Sequence, residues 1–185
     1  RIDEVRNMSK KVLILSGSPR KNGNSDLLCD EFMRGALESG NEVEKIRITE
    51  KKVSPCSACY YCRDHGGVCV HKDDMADILQ KMVDADVLVL ASPVYFYSVN
   101  AQLKAVIDRF YANNESLMGK KKAVFLTAMA DEDQKTASGA NASFDLMADY
   151  HGWEIVGRLN VGGCSTADDL HEEDLTAAYE LGKNL

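Results

Sequence analysis

The chain has 185 residues and a formal net charge of −7, with 22 Lys and Arg against 29 Asp and Glu. That length suits one α/β domain rather than two, and an acidic chain with no basic stripe excludes a nucleic-acid backbone as its partner. The longest apolar runs have strand length, far short of the roughly 20 residues that cross a bilayer, so no membrane partner is expected.

Residues 1–10 form a charged N-terminal extension without the apolar core of a secretory signal, and a cytoplasmic protein is expected. Residues 11–185 read as one domain. Val12 to Leu15 is a continuous apolar run, the pattern of a strand buried on both faces, and Ser25 to Leu37 carries helical spacing through Leu28 and Phe32. The loop between them, Ser16-Gly17-Ser18-Pro19-Arg20-Lys21-Asn22-Gly23-Asn24-Ser25, opens a helix. At a helix N-terminus the first N–H groups are unpaired and the macrodipole is positive, so a phosphate is stabilised there. Ser18 and Ser25 add hydroxyls and Arg20 a bidentate charged partner. The spacing is neither the nucleotide-triphosphate loop nor the dinucleotide fingerprint.

Glu42 to Ile48 alternates as a second strand, and a Cys-rich insertion follows at 49–71. Asp73 or Asp74 can cap a helix through Met75, Ile78, Leu79 and Met82. Val87 to Ala91 is a third strand that Pro93 ends. Asn100 to Tyr111 is helical, Ala123 to Ala128 is a fourth strand, Ala142 to Tyr150 a helix and Trp153 to Val161 a fifth strand. A polar helix closes the chain near His171 to Lys183. Five strand–helix units imply a three-layer α/β fold with a doubly wound, five-stranded parallel sheet. Ligands bind such sheets where the winding reverses, which selects the phosphate loop and Ser92 to Ser98.

Gly17 to Ser25 matches G-S-P-R-x-x-G-N-[ST] at every position and so resembles the first loop of the flavodoxin-like NADPH-dependent FMN reductase family. Pro93-Val94-Tyr95-Phe96, followed by Asn100-Ala101-Gln102-Leu103-Lys104, resembles the second FMN loop of that family. The resemblance implies strand order 2-1-3-4-5 and an FMN cofactor, with Ser16, Ser18, Arg20, Asn24 and Ser25 at the phosphate and Pro93, Val94, Tyr95, Phe96 and Ser98 around the ring. Where relatives often carry T-x-G-G, this chain has Thr127-Ala128-Met129-Ala130-Asp131, and a glycine-free loop approaches a ring less closely. Thr127 is the candidate contact there.

The implied activity passes electrons from NAD(P)H, or a reduced ferredoxin-like carrier, to a small acceptor such as a quinone or free flavin, in a homodimer or homotetramer. No side chain is assigned as catalytic, because the flavin carries the chemistry. A noncatalytic electron-transfer protein or redox sensor is the alternative.

Cys56, Cys59, Cys62 and Cys69 form C-x₂-C-x₂-C-x₆-C, with Gly66-Gly67 letting the chain fold back. This resembles the iron-sulfur flavoprotein (multimeric flavodoxin) branch, whose loop holds a [4Fe-4S] cluster near the flavin, typically that of a neighbouring subunit. Structural zinc more often uses two separated C-x₂-C pairs, and disulfides are not expected in a cytoplasmic chain. Cluster, zinc and metal-free thiols stand as three readings, the cluster first. Cys29 reads as a buried inert thiol, Cys164 as a loop thiol without a partner, and His65 and His71 as solvated residues beside the loop. Lys104, Asp108 and Arg109 read as ion pairs or structural anchors.

Overall fold

Strand β1 (Lys11–Ser16) buries every residue after Lys11, as its apolar run requires. The computed structural model describes residues 9–185, so most of the N-terminal extension, Arg1 to Met8, lies outside the described residues. After β1 come α1 (Asn24–Glu38), β2 (Glu42–Arg47), a short α2 (Tyr61–Asp64) inside the Cys-rich segment, and α3 (Met75–Asp84). They are followed by β3 (Val87–Tyr95), β4 (Ser98–Val99), α4 (Ala101–Asp108), α5 (Asn114–Leu117), β5 (Lys122–Ala128), α6 (Ser138–His151), β6 (Glu154–Val161) and α7 (Glu172–Lys183).

The strands hydrogen-bond in the order β2-β1-β3-β5-β6, all parallel, with β4 added to β3 as an antiparallel hairpin. Leaving β4 aside, this is the order 2-1-3-4-5. Alternation along the strands divides the core into two layers. Leu13, Leu15, Leu88, Leu90 and Phe125 face Met75, Met82, Leu103 and Phe144 of α3, α4 and α6. Val12, Ile14, Val89 and Leu126 face Leu28, Phe32 and Ala36 of α1 and Ala178 of α7. No helix among the described residues is long and apolar enough to cross a membrane.

Pro93 does not end β3. It sits in register with Ala128 of β5, and β3 continues to Tyr95. The β1 ladder stops at Ser16 opposite Ala91, so by Pro93 one side of β3 is already unpaired and the missing N–H is tolerated. The helix expected over Asn100 to Tyr111 is α-helical only to Asp108, then tightens into a 3₁₀ turn over Arg109–Asn113 that carries Arg109 and Phe110 inward.

Candidate functional site

The phosphate loop is fastened from below by a buried carboxylate. Asp26, 1% exposed, accepts from Ser16 Oγ at 2.9 Å, from the Asn22 N–H at 3.1 Å and from Lys45 Nζ at 3.1 Å, with Arg47 Nε at 3.4 Å. Burial alone would raise its carboxyl, yet the hydrogen bond and charge of Lys45, with Ser16 and Asn22, hold it below the usual carboxylate value. These bonds hold Asn22 in the left-handed region at φ 57° and aim the chain into α1. Gly23 caps α1 without a side-chain hydrogen bond, and a Cβ there would stand 3.0 Å from Ser18 Oγ and 3.1 Å from Arg20 Cβ. The glycine therefore keeps the cradle open above the first turn.

The cradle opens into a cleft of about 290 Å³. Ser18, Arg20, Asn24 and Ser25 line one wall, and Pro93, Val94 and Tyr95 another. Ala128 to Ala130 and the loop at Cys164 and Ser165 complete it. Arg20 Nη1 donates across the cleft to the Ser165 carbonyl at 3.1 Å. Asn24 Oδ1 is buried with no partner, an acceptor left for a ligand hydroxyl. Asn100, 1% exposed, binds the phosphate loop to the second loop through Gly17 and Ser92.

The Cys-rich segment builds a second cavity of about 340 Å³, lined by all four of Cys56, Cys59, Cys62 and Cys69 together with His71 and Arg109. Ala58 and Tyr60 have φ of 52° and 57°. Left-handed residues in tight turns present successive N–H groups to an anion or a cluster sulfur. The Tyr61 N–H, with the Ser57 hydroxyl, holds the Cys59 thiol below its usual value. Arg109, 2% exposed, grips Asp73 with two hydrogen bonds, of 2.8 and 3.0 Å, and also donates to the Ser54 carbonyl at 2.8 Å. Among the described residues no three His, Cys, Asp or Glu side chains are gathered as a metal-ligand set: the four thiols share a cavity without converging on one point.

The model of the NADPH-dependent FMN reductase family matches residues 10–164. The chain belongs to that family. An iron-sulfur flavoprotein of Archaeoglobus fulgidus is 33% identical over 179 residues, covering 95% of this chain and 78% of the relative, which places this FMN reductase family member in the iron-sulfur flavoprotein branch. An iron-sulfur flavoprotein of Methanocaldococcus jannaschii is 46% identical over 99 residues, 54% of this chain and 51% of that one, so this match spans about half the relative's length. The solved NAD(P)H:quinone oxidoreductase from Methanothermobacter marburgensis superposes with a TM-score of 0.76 at 21% identity, covering 95% of this chain and 96% of that one, and shares the fold.

Within this FMN reductase fold, seven of the candidate cofactor residues meet at the cleft: Ser18, Arg20, Asn24, Ser25, Pro93, Val94 and Tyr95. Four stand apart from its lining. Ser16 is fully buried and spent on Asp26. Thr127 is fully buried and donates to Asn160 Oδ1 at 2.7 Å, while its neighbours Ala128 and Met129 reach the cleft. Phe96, 99% exposed, tips the β3–β4 turn, where Ser98 pairs with Tyr95. The periodicity of a strand says which residues alternate, not where its ladder stops, so these side chains could not be assigned in advance.

Spacing assigns no site role to Asn100, to the Cys164–Ser165 loop or to His71, which is expected to be solvated. Cys164 is a free loop thiol, as expected, but it is buried beside the cleft; burial, with Asp174 and Asp169, raises its thiol. His71 lines the Cys cavity with Nε2 buried and unpartnered. Cys29 is fully buried, and burial pushes its thiol up to about 12, which makes it inert. Lys104 and Asp108 pair at 2.5 Å on the surface, whereas Arg109 is a buried anchor.

Proposed function

We propose that this chain is an FMN-dependent oxidoreductase that takes electrons from NAD(P)H or a reduced ferredoxin-like carrier and passes them to a small acceptor such as a quinone or free flavin. The observation that carries the reading is the convergence, in one cleft, of an uncapped helix N-terminus, Ser18, Arg20 and Ser25 with the flat apolar wall of Pro93 to Tyr95. Arg20 and the hydroxyls of Ser18 and Ser25 would hold the phosphate, and Asn24 Oδ1 would accept from the ribityl chain. Pro93, Val94 and Tyr95 would wall the ring and keep water from one face. The Ala128–Ala130 backbone closes the opposite side, and the Arg20–Ser165 bridge restricts the mouth.

The Cys cavity supplies an all-thiolate donor set with no carboxylate among the four, which suits iron-sulfur or zinc rather than hard cations. A [4Fe-4S] cluster on Cys56, Cys59, Cys62 and Cys69 is the reading we favour, because three of the cysteines follow at consecutive x₂ spacings around a turn with left-handed residues. When bound, FMN supplies hydride and one-electron chemistry and the cluster supplies single-electron transfer.

A homodimer or homotetramer is part of the proposal. Tyr60, Phe96, Tyr97 and Tyr111 are each at least half exposed, and they offer apolar surface beside both cavities for a second copy to cover.

Protein purified without oxygen is assayed for FMN, iron, sulfide and zinc and then for NAD(P)H oxidation with quinone, flavin and ferric acceptors, with light scattering on the same sample. Bound FMN, iron and sulfide near stoichiometric, and turnover in an oligomer are the expected results. Absence of flavin after FMN is added overturns the cofactor assignment. Flavin and cluster without turnover leave a noncatalytic carrier, and zinc in place of iron and sulfide overturns the cluster.

A further inference from the structure

Arg109 has five N–H donors in a rigid plane. Asp73 fixes that plane, because its two carboxylate oxygens take Nη1 and Nη2 at 2.8 and 3.0 Å, and Nη1 also reaches the Ser54 carbonyl at 2.8 Å. Once both Nη atoms are held, the direction of Nε is set as well. Nε is buried without a partner, although the side chain is only 2% exposed. Native structures rarely leave a buried charged donor unsatisfied. The same guanidinium borders the cavity that contains Cys56, Cys59, Cys62 and Cys69, and Cys69 stands among the groups whose charge and hydrogen bonding favour the charged Arg109.

We infer that Arg109 is a positioning residue for the Cys loop: when the cluster is bound, its otherwise unpartnered Nε–H would donate to the Cys69 sulfur, orient that sulfur as a ligand and raise the reduction potential of the cluster it helps to hold. The inference rests on the reading of the four cysteines as cluster ligands. A donor on a ligand sulfur stabilises the reduced form more, because that form carries one more negative charge, and such hydrogen bonds are among the factors that set cluster potentials. Cys69 also needs such a guide more than the other three. Cys56, Cys59 and Cys62 are spaced along one turn, whereas Cys69 arrives after the Gly66–Gly67 reversal. Asp73 begins the segment that leads into α3, so its pair with Arg109 fastens the loop's return to the 3₁₀ turn after α4. Lysine cannot replace this arrangement, since an ammonium is a point charge without a fork.

The test uses the full chain with FMN, reconstituted anaerobically with ferrous iron and sulfide, as wild type and as Arg109→Lys. Iron release to a ferrous chelator and the cluster midpoint from an EPR-monitored titration are read, with FMN content as the control for folding. Arg109→Lys is expected to keep FMN, to release iron several-fold faster and to shift the oxidised-to-reduced ratio about tenfold towards oxidised, about 59 mV for one electron. Unchanged release and midpoint overturn the role of Arg109 and leave the cluster standing. A wild type that binds FMN but no iron and sulfide overturns the cluster reading and this inference with it.

If Arg109→Lys does not fold, a second measurement decides. Chain labelled with ¹⁵N-arginine, carrying Arg63→Lys to remove the arginine beside Cys62, is reduced and examined for hyperfine coupling of ¹⁵N to the cluster. Coupling supports the Nε donor, and its absence overturns it.

Discussion

Asn100 joins the two principal loops of the cleft: its Nδ2 donates to the Gly17 carbonyl, and its Oδ1 accepts from Ser92 Oγ at 3.0 Å while its own N–H returns to that hydroxyl at 2.9 Å. The two cleft walls, Ser18 to Ser25 and Pro93 to Tyr95, are thus tied into one polar unit buried at the carboxyl ends of β1 and β3. Gly17 permits it, since a Cβ there would stand 2.5 Å from Asn100 Oδ1 and 2.8 Å from Leu103 Cβ.

Asn100→Ala would leave the Gly17 carbonyl and the Ser92 hydroxyl without that partner. Stability is expected to fall by about 1–3 kcal/mol, and FMN affinity to fall as well because the walls lose their fixed spacing. Denaturant unfolding of the apoprotein and flavin-fluorescence titration measure the two effects separately. Asn100→Asp should not restore affinity, since a carboxylate accepts but cannot donate to a carbonyl.

Arg20 engages both the cleft and the Ser165 carbonyl, and under the proposed function it carries the charge opposite the phosphate. Arg20→Ala is expected to weaken FMN binding by about 10–100-fold, the range for one charge-assisted bond of about 1.5–3 kcal/mol, with unfolding midpoints nearly unchanged because the group is exposed. Riboflavin, which lacks the phosphate, should bind wild type and variant alike. A riboflavin affinity that falls as far as that of FMN would assign Arg20 to the ring or to the fold.

Helices α1 and α7 approach closely through two glycines. A Cβ on Gly35 would overlap the Tyr179 carbonyl, and one on Gly182 the Phe32 carbonyl. Alanine is the better helix former, yet here it must push backbone against backbone. Gly182→Ala is therefore expected to cost about 1–3 kcal/mol, lowering Tm by several degrees. FMN affinity should be unaffected, because the crossing lies away from the cleft. Thermal scans of the apoprotein alongside flavin titration check both.

The fold was legible because the three central strands, β1, β3 and β5, are short apolar runs and all five parallel strands are separated by helical spacing, a pattern with few alternative packings. That Ser18, Arg20, Asn24 and Ser25 meet on one wall of the cleft was legible for a local reason: all four lie within one loop, so sequence spacing determines spatial proximity. The partners of Asn100, Ser165 and Arg109 were not, although Arg109 itself reads as an ion pair or structural anchor. Each acts on a partner far along the chain, Asn100 on Gly17, Arg20 on Ser165 and Arg109 on Asp73, and only the winding of the sheet brings them together. Pro93 misled for a related reason: whether a missing N–H matters depends on where β1 ends, which the local sequence of β3 does not contain.

The Asp73–Arg109 pair should also appear in the pH dependence of stability. Burial would raise the Asp73 carboxyl, but the Arg109 hydrogen bond, the N–H groups of Ser54 and Met75 and the Arg109 charge bring it down to about 2, from an ordinary value of 3.8. A folded-state pKa below the unfolded one means that the unfolded chain binds the proton more tightly. The stabilisation is complete above about pH 4 and is lost as the pH falls towards 2, amounting to about 2 kcal/mol. Asp73→Asn is expected to remove that part of the acid transition and, by leaving the Arg109 guanidinium buried without its counter-charge, to cost about 3–5 kcal/mol at neutral pH. Urea unfolding between pH 2 and 7 on both proteins measures it. A variant that is less stable at neutral pH but retains the wild-type slope below pH 4 would show that other carboxylates, not Asp73, govern the acid limb.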